Sequence, residues 1–160
     1  MSPKTKNNYE KKLKRPFPIG SVSFRKGPGS SKELAYITAR DVMQRLDEVF
    51  GIDGWSDKYQ YIGDRMMCEL TCNFDGLLVT KSDGADDSQI EGAKGGISDA
   101  LKRAAVKFGI GRYLYHPGAF NGRQPASWAT PEGYDKIMAE REDAEVVEFQ
   151  KELKKASNKK

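Results

Sequence analysis

The residues best suited to chemistry in this sequence are basic, and they are concentrated in Ile97–Tyr115, ISDALKRAAVKFGIGRYLY. On a helical wheel at about 100° per residue, the apolar side chains centre near Ile97, while Lys102 and Arg103 straddle the outward pole. Lysine and arginine neutralise phosphates and release counterions, which favours binding. The pattern predicts a phosphate-binding surface around this pair. Three further cations could extend it: Lys94, Lys107 and Arg112.

The distribution of charge along the chain supports a polyanion-binding surface. Residues 1–32 carry nine basic side chains and one acidic, residues 33–100 carry six and fourteen, and residues 101–127 carry five and none. No acid occurs between Asp99 and Glu132, so we expect the outer surface of the helix to be uncompensated. Such basic blocks are typical of nucleic-acid binders. Two alternatives to nucleic-acid binding remain. The basic block at residues 1–32 would be only a solvated tail, or Lys102 and Arg103 would only keep a surface helix soluble.

Aromatic residues are interleaved with these cations. Single-stranded nucleic-acid sites often combine a basic groove with rings on which bases stack. Phe108 falls on the apolar face and is expected in the core, whereas Tyr113 and Tyr115 alternate like residues of a strand, with one side chain buried and one exposed.

Catalytic and metal-binding patterns are weak, so we expect neither an enzyme nor a cofactor. The single histidine, His116, has no clear catalytic partners, and Cys68-x3-Cys72 lacks the second pair of a zinc site. Glu91 beside several aspartates leaves a metal-dependent nuclease as an improbable alternative, because a helix-capping role explains the carboxylate more simply.

The cysteines and the hydropathy pattern predict the cellular compartment of the protein. Cys68 and Cys72 would share one face of a single strand, where they cannot easily form a disulfide, so a reduced intracellular environment is expected. No run of eighteen apolar residues predicts a membrane span, and the basic N-terminus lacks the apolar region of a signal peptide. We therefore expect a cytoplasmic protein.

The basic helix is expected to lie on a sheet that positions it. Three predicted strands, joined by tight turns at Gly63-Asp64 and Asp75-Gly76, precede a helix that starts at Ser88 and ends at Gly109. This order predicts an α+β fold in which a three-stranded antiparallel sheet packs on a long helix, a β-β-β-α core. The three strands are Trp55–Ile62, Met66–Phe74 and Leu77–Lys81.

The remaining chain is divided into flanking elements. Thr38 and Gly51 are expected to cap a helix over Ala39–Phe50. Residues 1–8 are expected to be disordered. The other predicted elements are a helix over Tyr9–Arg15, strands over Ser21–Lys26 and Leu34–Ile37, a loop over Ser82–Asp87 and a charged helix over Pro131–Lys155. The expected organisation is a basic tail or short helix at 1–15, one domain at 16–120, and a loop with a charged helix at 121–160.

Two segments resemble the Rad52/Rad22 family of single-strand annealing proteins, and in particular its short bacteriophage-type members. Leu34–Trp55, LAYITARDVMQRLDEVFGIDGW, has the family's Tyr-Ile before a helix and Phe-Gly-x-x-Gly-Trp after it. Ile97–Gly109, ISDALKRAAVKFG, has the family's Asp-x-Leu-Lys-Arg-Ala and Phe-Gly. The resemblance covers roughly residues 16–120, and two long motifs in order make it specific.

The resemblance implies a ring-forming homo-oligomer that binds single-stranded DNA and anneals complementary strands without ATP, in recombination and double-strand break repair. DNA would lie in a basic groove around the ring with its backbone inward and bases outward, and Lys102 and Arg103 would contact phosphates. A bacterial host cytoplasm, and a host or phage single-strand-binding protein as a further partner, would fit such a protein. Recombinase loading is not implied, because the long C-terminal region of eukaryotic relatives has no counterpart in these residues.

This chain departs from the eukaryotic pattern at two positions. Val106 stands where those members have a further arginine, with Lys107 beside it. Asp41 stands where they have a basic residue early in the first helix, and the adjacent Arg40 is the candidate replacement. A general basic module for duplex DNA or RNA remains the alternative function.

Overall fold

A computed structural model describes residues 1–86 and 93–158 of the chain. Its helices and strands, in chain order, are α1 (Pro3–Lys14), β1 (Ser23–Lys26), β2 (Glu33–Tyr36), α2 (Ala39–Phe50), β3 (Trp55–Ile62), β4 (Arg65–Phe74), β5 (Leu77–Asp86), α3 (Ala93–Lys107), β6 (Phe120–Asn121), β7 (Gln124–Pro125) and α4 (Pro131–Ser157). Short 3₁₀ turns occur at Ile19–Ser21, Arg112–Tyr115 and Ser127–Ala129.

The central sheet is antiparallel with strand order β3-β4-β5. Its register pairs Ile62 with Arg65 across the first turn and Phe74 with Leu77 across the second. Asp75 and Gly76 both have positive φ, 55° and 94°, as a two-residue type I′ turn requires. The β1–β2 hairpin forms a separate two-stranded sheet, as do β6 and β7.

The core lies between β4 and α3. Alternate residues of β4 point to the same face of the sheet, and in this strand Cys68, Leu70 and Cys72 are fully buried. On α3, Leu101 and Ala104 are buried, and so is Phe108 directly after the helix. The two cysteines are free thiols, as predicted. The sheet and α3 therefore form the two-layer α+β arrangement that the strand pattern and the helical periodicity predict.

Helix α1 is attached to this core by aromatic contacts and by one buried cation. The Tyr9 ring lies 5.1 Å from Phe74 and 5.7 Å from Phe50. The guanidinium of Arg45, which is 5% exposed, donates hydrogen bonds from Nη1 to the carbonyl oxygens of Lys12, Leu13 and Arg15. Arg45 thereby supplies hydrogen-bond donors to carbonyl oxygens at the C-terminal end of α1, where donors from the helix itself are lacking.

The α+β class and the three-stranded antiparallel sheet are confirmed, and α2 and β3 have the predicted bounds. Four predictions of local structure were wrong, of which one is the strand-like alternation of Tyr113 and Tyr115, since both lie in the 3₁₀ turn Arg112–Tyr115. Helix α1 begins at Pro3, inside the segment expected to be disordered, because the Ser2 side chain caps it by accepting from the Thr5 amide. Strand β5 continues to Asp86 because it pairs with the whole of β4. Ile97 is 39% exposed, because the buried face of α3 centres on Ala100, Leu101 and Ala104 instead. The predicted helix start at Ser88 lies outside the described residues.

Candidate nucleic-acid interface

A groove of about 920 Å³ separates the β1–β2 hairpin from helix α3, and we call it the hairpin groove. Strand β2 contributes Tyr36, α3 contributes Val106, and the 3₁₀ turn that follows α3 contributes Tyr115. Five cations line the hairpin groove: Arg25, Lys32, Arg65, Lys102 and Arg103. The hairpin carries Arg25 and Lys32, and α3 carries Lys102 and Arg103, so cations lie on both of these walls, and the lining also includes the acids Glu33, Asp86 and Asp99. Such a lining suits an extended polyanion.

Lys102 and Arg103 both line the hairpin groove, but their charges are compensated. The Lys102 ammonium lies 3.5 Å from Asp99 Oδ1, and the Arg103 Nε lies 3.5 Å from Asp83 Oδ1. The expectation of an uncompensated surface was therefore wrong. It failed because Asp83 belongs to β5, which the sheet places beside α3, and because Asp99 precedes Lys102 on the same helix. Partly exposed pairs at this separation contribute at most about 1 kcal/mol each, so a phosphate can replace the carboxylates.

Tyr36 lies between two of the groove cations. Its ring centroid is 5.3 Å from the Arg25 guanidinium carbon and 5.8 Å from the Lys102 ammonium. A ring in this position holds cations over its face, and the same face suits stacking of a base. The sequence reasoning missed Arg25, Arg65 and Tyr36 as site residues. Tyr36 belongs to the Tyr-Ile motif before α2, which was the signal available for it.

The two departures from the eukaryotic pattern have structural consequences. Val106 lines the hairpin groove and is half-buried, so an apolar surface occupies this point of the wall. The Asp41 carboxylate accepts hydrogen bonds from the Thr38 amide and hydroxyl, both at 2.8 Å, and caps α2. Arg40, the candidate replacement, is exposed on α2 and lines neither this groove nor the one described next.

Lys107 and Arg112 lie in a second groove, of about 340 Å³, between α1, β5 and the end of α3. We call it the α1 groove. Lys107 donates to the Ser82 carbonyl oxygen, while Arg112 donates to the carbonyl oxygens of Val106 and Lys107 at 3.0 and 2.9 Å. Arg112 thus caps the C-terminal end of α3, where the helix dipole favours a cation. The side chain of Lys94 lies outside the described residues. Of the predicted set, the described residues therefore form two separate pairs: Lys102 and Arg103 in the hairpin groove, and Lys107 and Arg112 in the α1 groove.

The predicted aromatic residues have different roles. Tyr115 is 71% exposed and lines the hairpin groove. The Tyr113 hydroxyl accepts a hydrogen bond from the Phe17 amide, and burial is the main cause that raises its pKa. Phe108 is in the core, as predicted. Of this set, Tyr115 alone offers a free aromatic face to a ligand in the hairpin groove.

Within the described residues, no three histidine, cysteine, aspartate or glutamate side chains are grouped to hold a metal ion. Glu91, on which the nuclease alternative depends, lies outside them. Among the same residues, no helix has the length and apolar character needed to cross a bilayer.

Comparison with known proteins shows the family to which the chain belongs. The Rad52/22 family of double-strand break repair proteins matches residues 5–73 and 70–124. The single-stranded DNA-binding protein DdrA of Deinococcus deserti is 35% identical over 116 residues, covering 68% of this chain and 57% of the relative. DdrA of Deinococcus radiodurans is 34% identical over 116 residues, covering 68% and 55%. The chain thus spans little more than half the length of these curated relatives. With the hairpin groove and most of its core inside the matched residues, the chain belongs to the Rad52/22 family of double-strand break repair proteins.

Proposed function

We propose that this chain binds single-stranded DNA in the hairpin groove and anneals complementary strands in DNA repair, without ATP and without catalysis. The observation that carries the proposal is the convergence of five cations on one groove, with the Lys102–Arg103 pair of the family motif at its wall. The family match and the printed names of the relatives, single-stranded DNA-binding proteins, support it.

The groove chemistry favours contacts to the DNA backbone. The lysine ammonium donates to phosphate oxygens as a point charge, and the arginine guanidinium donates two parallel hydrogen bonds. Contacts to phosphates position a strand without reading its sequence. In the proposed complex, phosphates displace Asp99 from Lys102 and Asp83 from Arg103. The bases then face the opening of the groove, where Tyr36 and Tyr115 offer rings and where a second strand can pair.

Assembly into a closed ring is part of the proposal, because a ring would align the hairpin grooves of successive copies into one continuous track. A host or phage single-strand-binding protein would then be a partner that delivers coated strands. Electron microscopy and native mass measurement of the free protein test the ring. A monomer at all accessible concentrations would overturn it.

The direct test of the site is Lys102→Ala combined with Arg103→Ala. Binding to a fluorescent poly-thymidine oligonucleotide is measured from about 0.05 to 0.3 M salt. If each residue neutralises one phosphate, the slope of log affinity against log salt falls by about 1.4. The control is Lys58→Ala combined with Lys136→Ala, which removes two exposed cations that line neither groove. An unchanged slope with intact particle mass would sink the assignment.

Competition separates annealing from a general basic module. The proposal predicts that unlabelled single strands displace the probe far more effectively than duplex DNA or duplex RNA of equal length. It also predicts faster pairing of complementary oligonucleotides without ATP, followed by fluorescence quenching. Equal competition by duplex, with no acceleration of pairing, would favour the general module instead.

A further inference from the structure

The α1 groove combines an apolar interior with a basic rim that lacks acidic partners. Tyr9, Leu13, Phe74 and Phe108 line its interior. The cations at its rim are Lys6, Lys14, Lys81, Lys107 and Arg112. In the described part of the chain none of these five has a carboxylate within 4.0 Å, and Glu10 is the one acid in the lining. The groove therefore fits an occupant that is both apolar and acidic.

The second half of α4 carries exposed apolar and acidic side chains, and among the described residues its ion pair with the rest of the fold is Lys11–Glu142. Residues 141–158 are all exposed, and α4 runs unbroken to Ser157. Val146, Phe149 and Leu153 are 55%, 61% and 52% exposed, and their spacing of three and four residues places them on one face of the helix. Over residues 140–152 six acids accompany this face against Arg141 and Lys151, and Lys154 and Lys155 follow in the last turn of the helix; the acids are Glu140, Glu142, Asp143, Glu145, Glu148 and Glu152.

A chain's own α4 lies on the wrong side of α1 to fill the α1 groove. Ion pairs at 3.1 and 2.9 Å join Lys11 to Glu142 and Arg15 to Asp135. At about 100° per residue, Lys11 and Arg15 lie on the face of α1 roughly opposite to Lys6 and Leu13, which line the groove. Because α4 is one continuous helix, it leads away from the groove of its own chain.

We infer that the acidic half of α4 of one copy docks in the α1 groove of a second copy. Phe149 and its apolar neighbours cover the groove interior, while Glu145, Glu148 and Glu152 face the rim cations. Parallel pairing of two α4 helices would bring like charges together, which is unfavourable, whereas the five rim cations of the α1 groove complement these glutamates. The contact joins different surfaces of the two copies, and such head-to-tail contacts generate a ring when the rotation closes. The inference rests on the self-association proposed above and supplies its contact.

Mixed cysteine variants test the contact directly. Phe149→Cys protein mixed with Leu77→Cys protein should give a disulfide-linked dimer under mild oxidation, because Leu77 is exposed at the α1 groove. The native Cys68 and Cys72 are buried and stay out of the reaction. The matched control is Phe149→Cys with Ile52→Cys, a position 85% exposed and outside the groove. Absence of the specific cross-link in a protein that self-associates would overturn the inference and leave the proposed function standing.

A charge exchange provides a second test that a folding defect cannot mimic. Lys14→Glu with Lys81→Glu makes the groove acidic, and Glu145→Lys with Glu148→Lys makes α4 basic. Each variant alone should show at least a twofold loss of particle mass by light scattering, and an equimolar mixture should recover the mass of the unaltered protein. The mixture fails to recover if α4 docks elsewhere. If the groove variant instead loses single-stranded DNA binding and the mixture stays small, the groove is a DNA surface and the docking inference falls.

Discussion

The two grooves differ in how their cations are held. In the hairpin groove, three cations each lie beside a carboxylate, in the pairs Lys102–Asp99, Arg103–Asp83 and Arg65–Asp86, at 3.5 to 3.6 Å. In the α1 groove, none of the five rim cations has such a partner among the described residues. Weak pairing keeps side chains oriented while allowing exchange for a mobile phosphate chain. Cations without a carboxylate partner among the described residues, placed around an apolar groove interior, suit a protein partner that stays bound.

The largest expected effect on the difference between the two grooves comes from replacing Arg45, because this residue anchors α1, which forms one wall of the α1 groove. Arg45→Met leaves three carbonyl oxygens without their donor. Losing hydrogen bonds from a buried charged group should lower the free energy of unfolding by about 3 kcal/mol, as measured by urea titration. Self-association should fall further than DNA binding, since the hairpin groove does not include α1.

The control for that change is Arg40→Met, an exposed arginine on the same helix. Its effect on unfolding should stay within about 0.5 kcal/mol. Equal destabilisation by both variants would show that Arg45 is not the anchor of α1.

A smaller effect should follow from freeing the paired cations of the hairpin groove. Asp83→Asn with Asp99→Asn removes two carboxylates that compete with phosphate. If each opposes binding by about 0.5 kcal/mol, single-stranded DNA affinity rises about fivefold at low salt. Fluorescence anisotropy measures the change. Asp135→Asn, which frees Arg15 on α1, is the matched control and should leave affinity unaltered. Weaker binding by the double variant would mean that the acids position the cations rather than compete for them.

The smallest effect concerns the sheet that supports both grooves. Burial raises the pKa of Cys68 to about 11 and that of Cys72 to about 12, from an ordinary value of 9.0. Both thiols should therefore resist iodoacetamide at about pH 8 in the folded protein and react once urea unfolds it. Since the folded state holds these protons more tightly than the unfolded state, the contribution of the two thiols to the free energy of unfolding should be constant below about pH 9 and decline above it.

An Ile52→Cys variant supplies an exposed thiol for comparison in the same alkylation experiment. It should react at about pH 8 without denaturant. Rapid labelling of Cys68 or Cys72 under those conditions would mean that the sheet opens readily beneath the grooves.

Local patterns were sufficient to predict most of the fold. The apolar spacing of α2 and its caps at Thr38 and Gly51 are decided within a few residues, and so is the Asp75-Gly76 turn. Strand β5 was predicted too short because Ser82 to Asp86 have polar and small side chains typical of a loop. Their strand conformation depends on backbone pairing with β4, which composition does not encode. The capping of α1 at Ser2 was likewise missed, because the run of basic residues concealed a helix start.

What the sequence by itself determined is the set of elements, the helical face that carries Lys102 and Arg103, and the family motifs around them. Only the tertiary structure decided which cations act together. Lys102 and Arg103 face the hairpin, whereas Lys107, four residues after Arg103 on the same helix, faces α1. The two sets of cations are separated because the β1–β2 hairpin lies beside one part of α3 and helix α1 lies beside its C-terminal end. The compensating Asp83 reaches Arg103 only through the pairing of β5 with β4. Interactions between residues distant in the chain, rather than local charge or periodicity, distinguish one groove from the other.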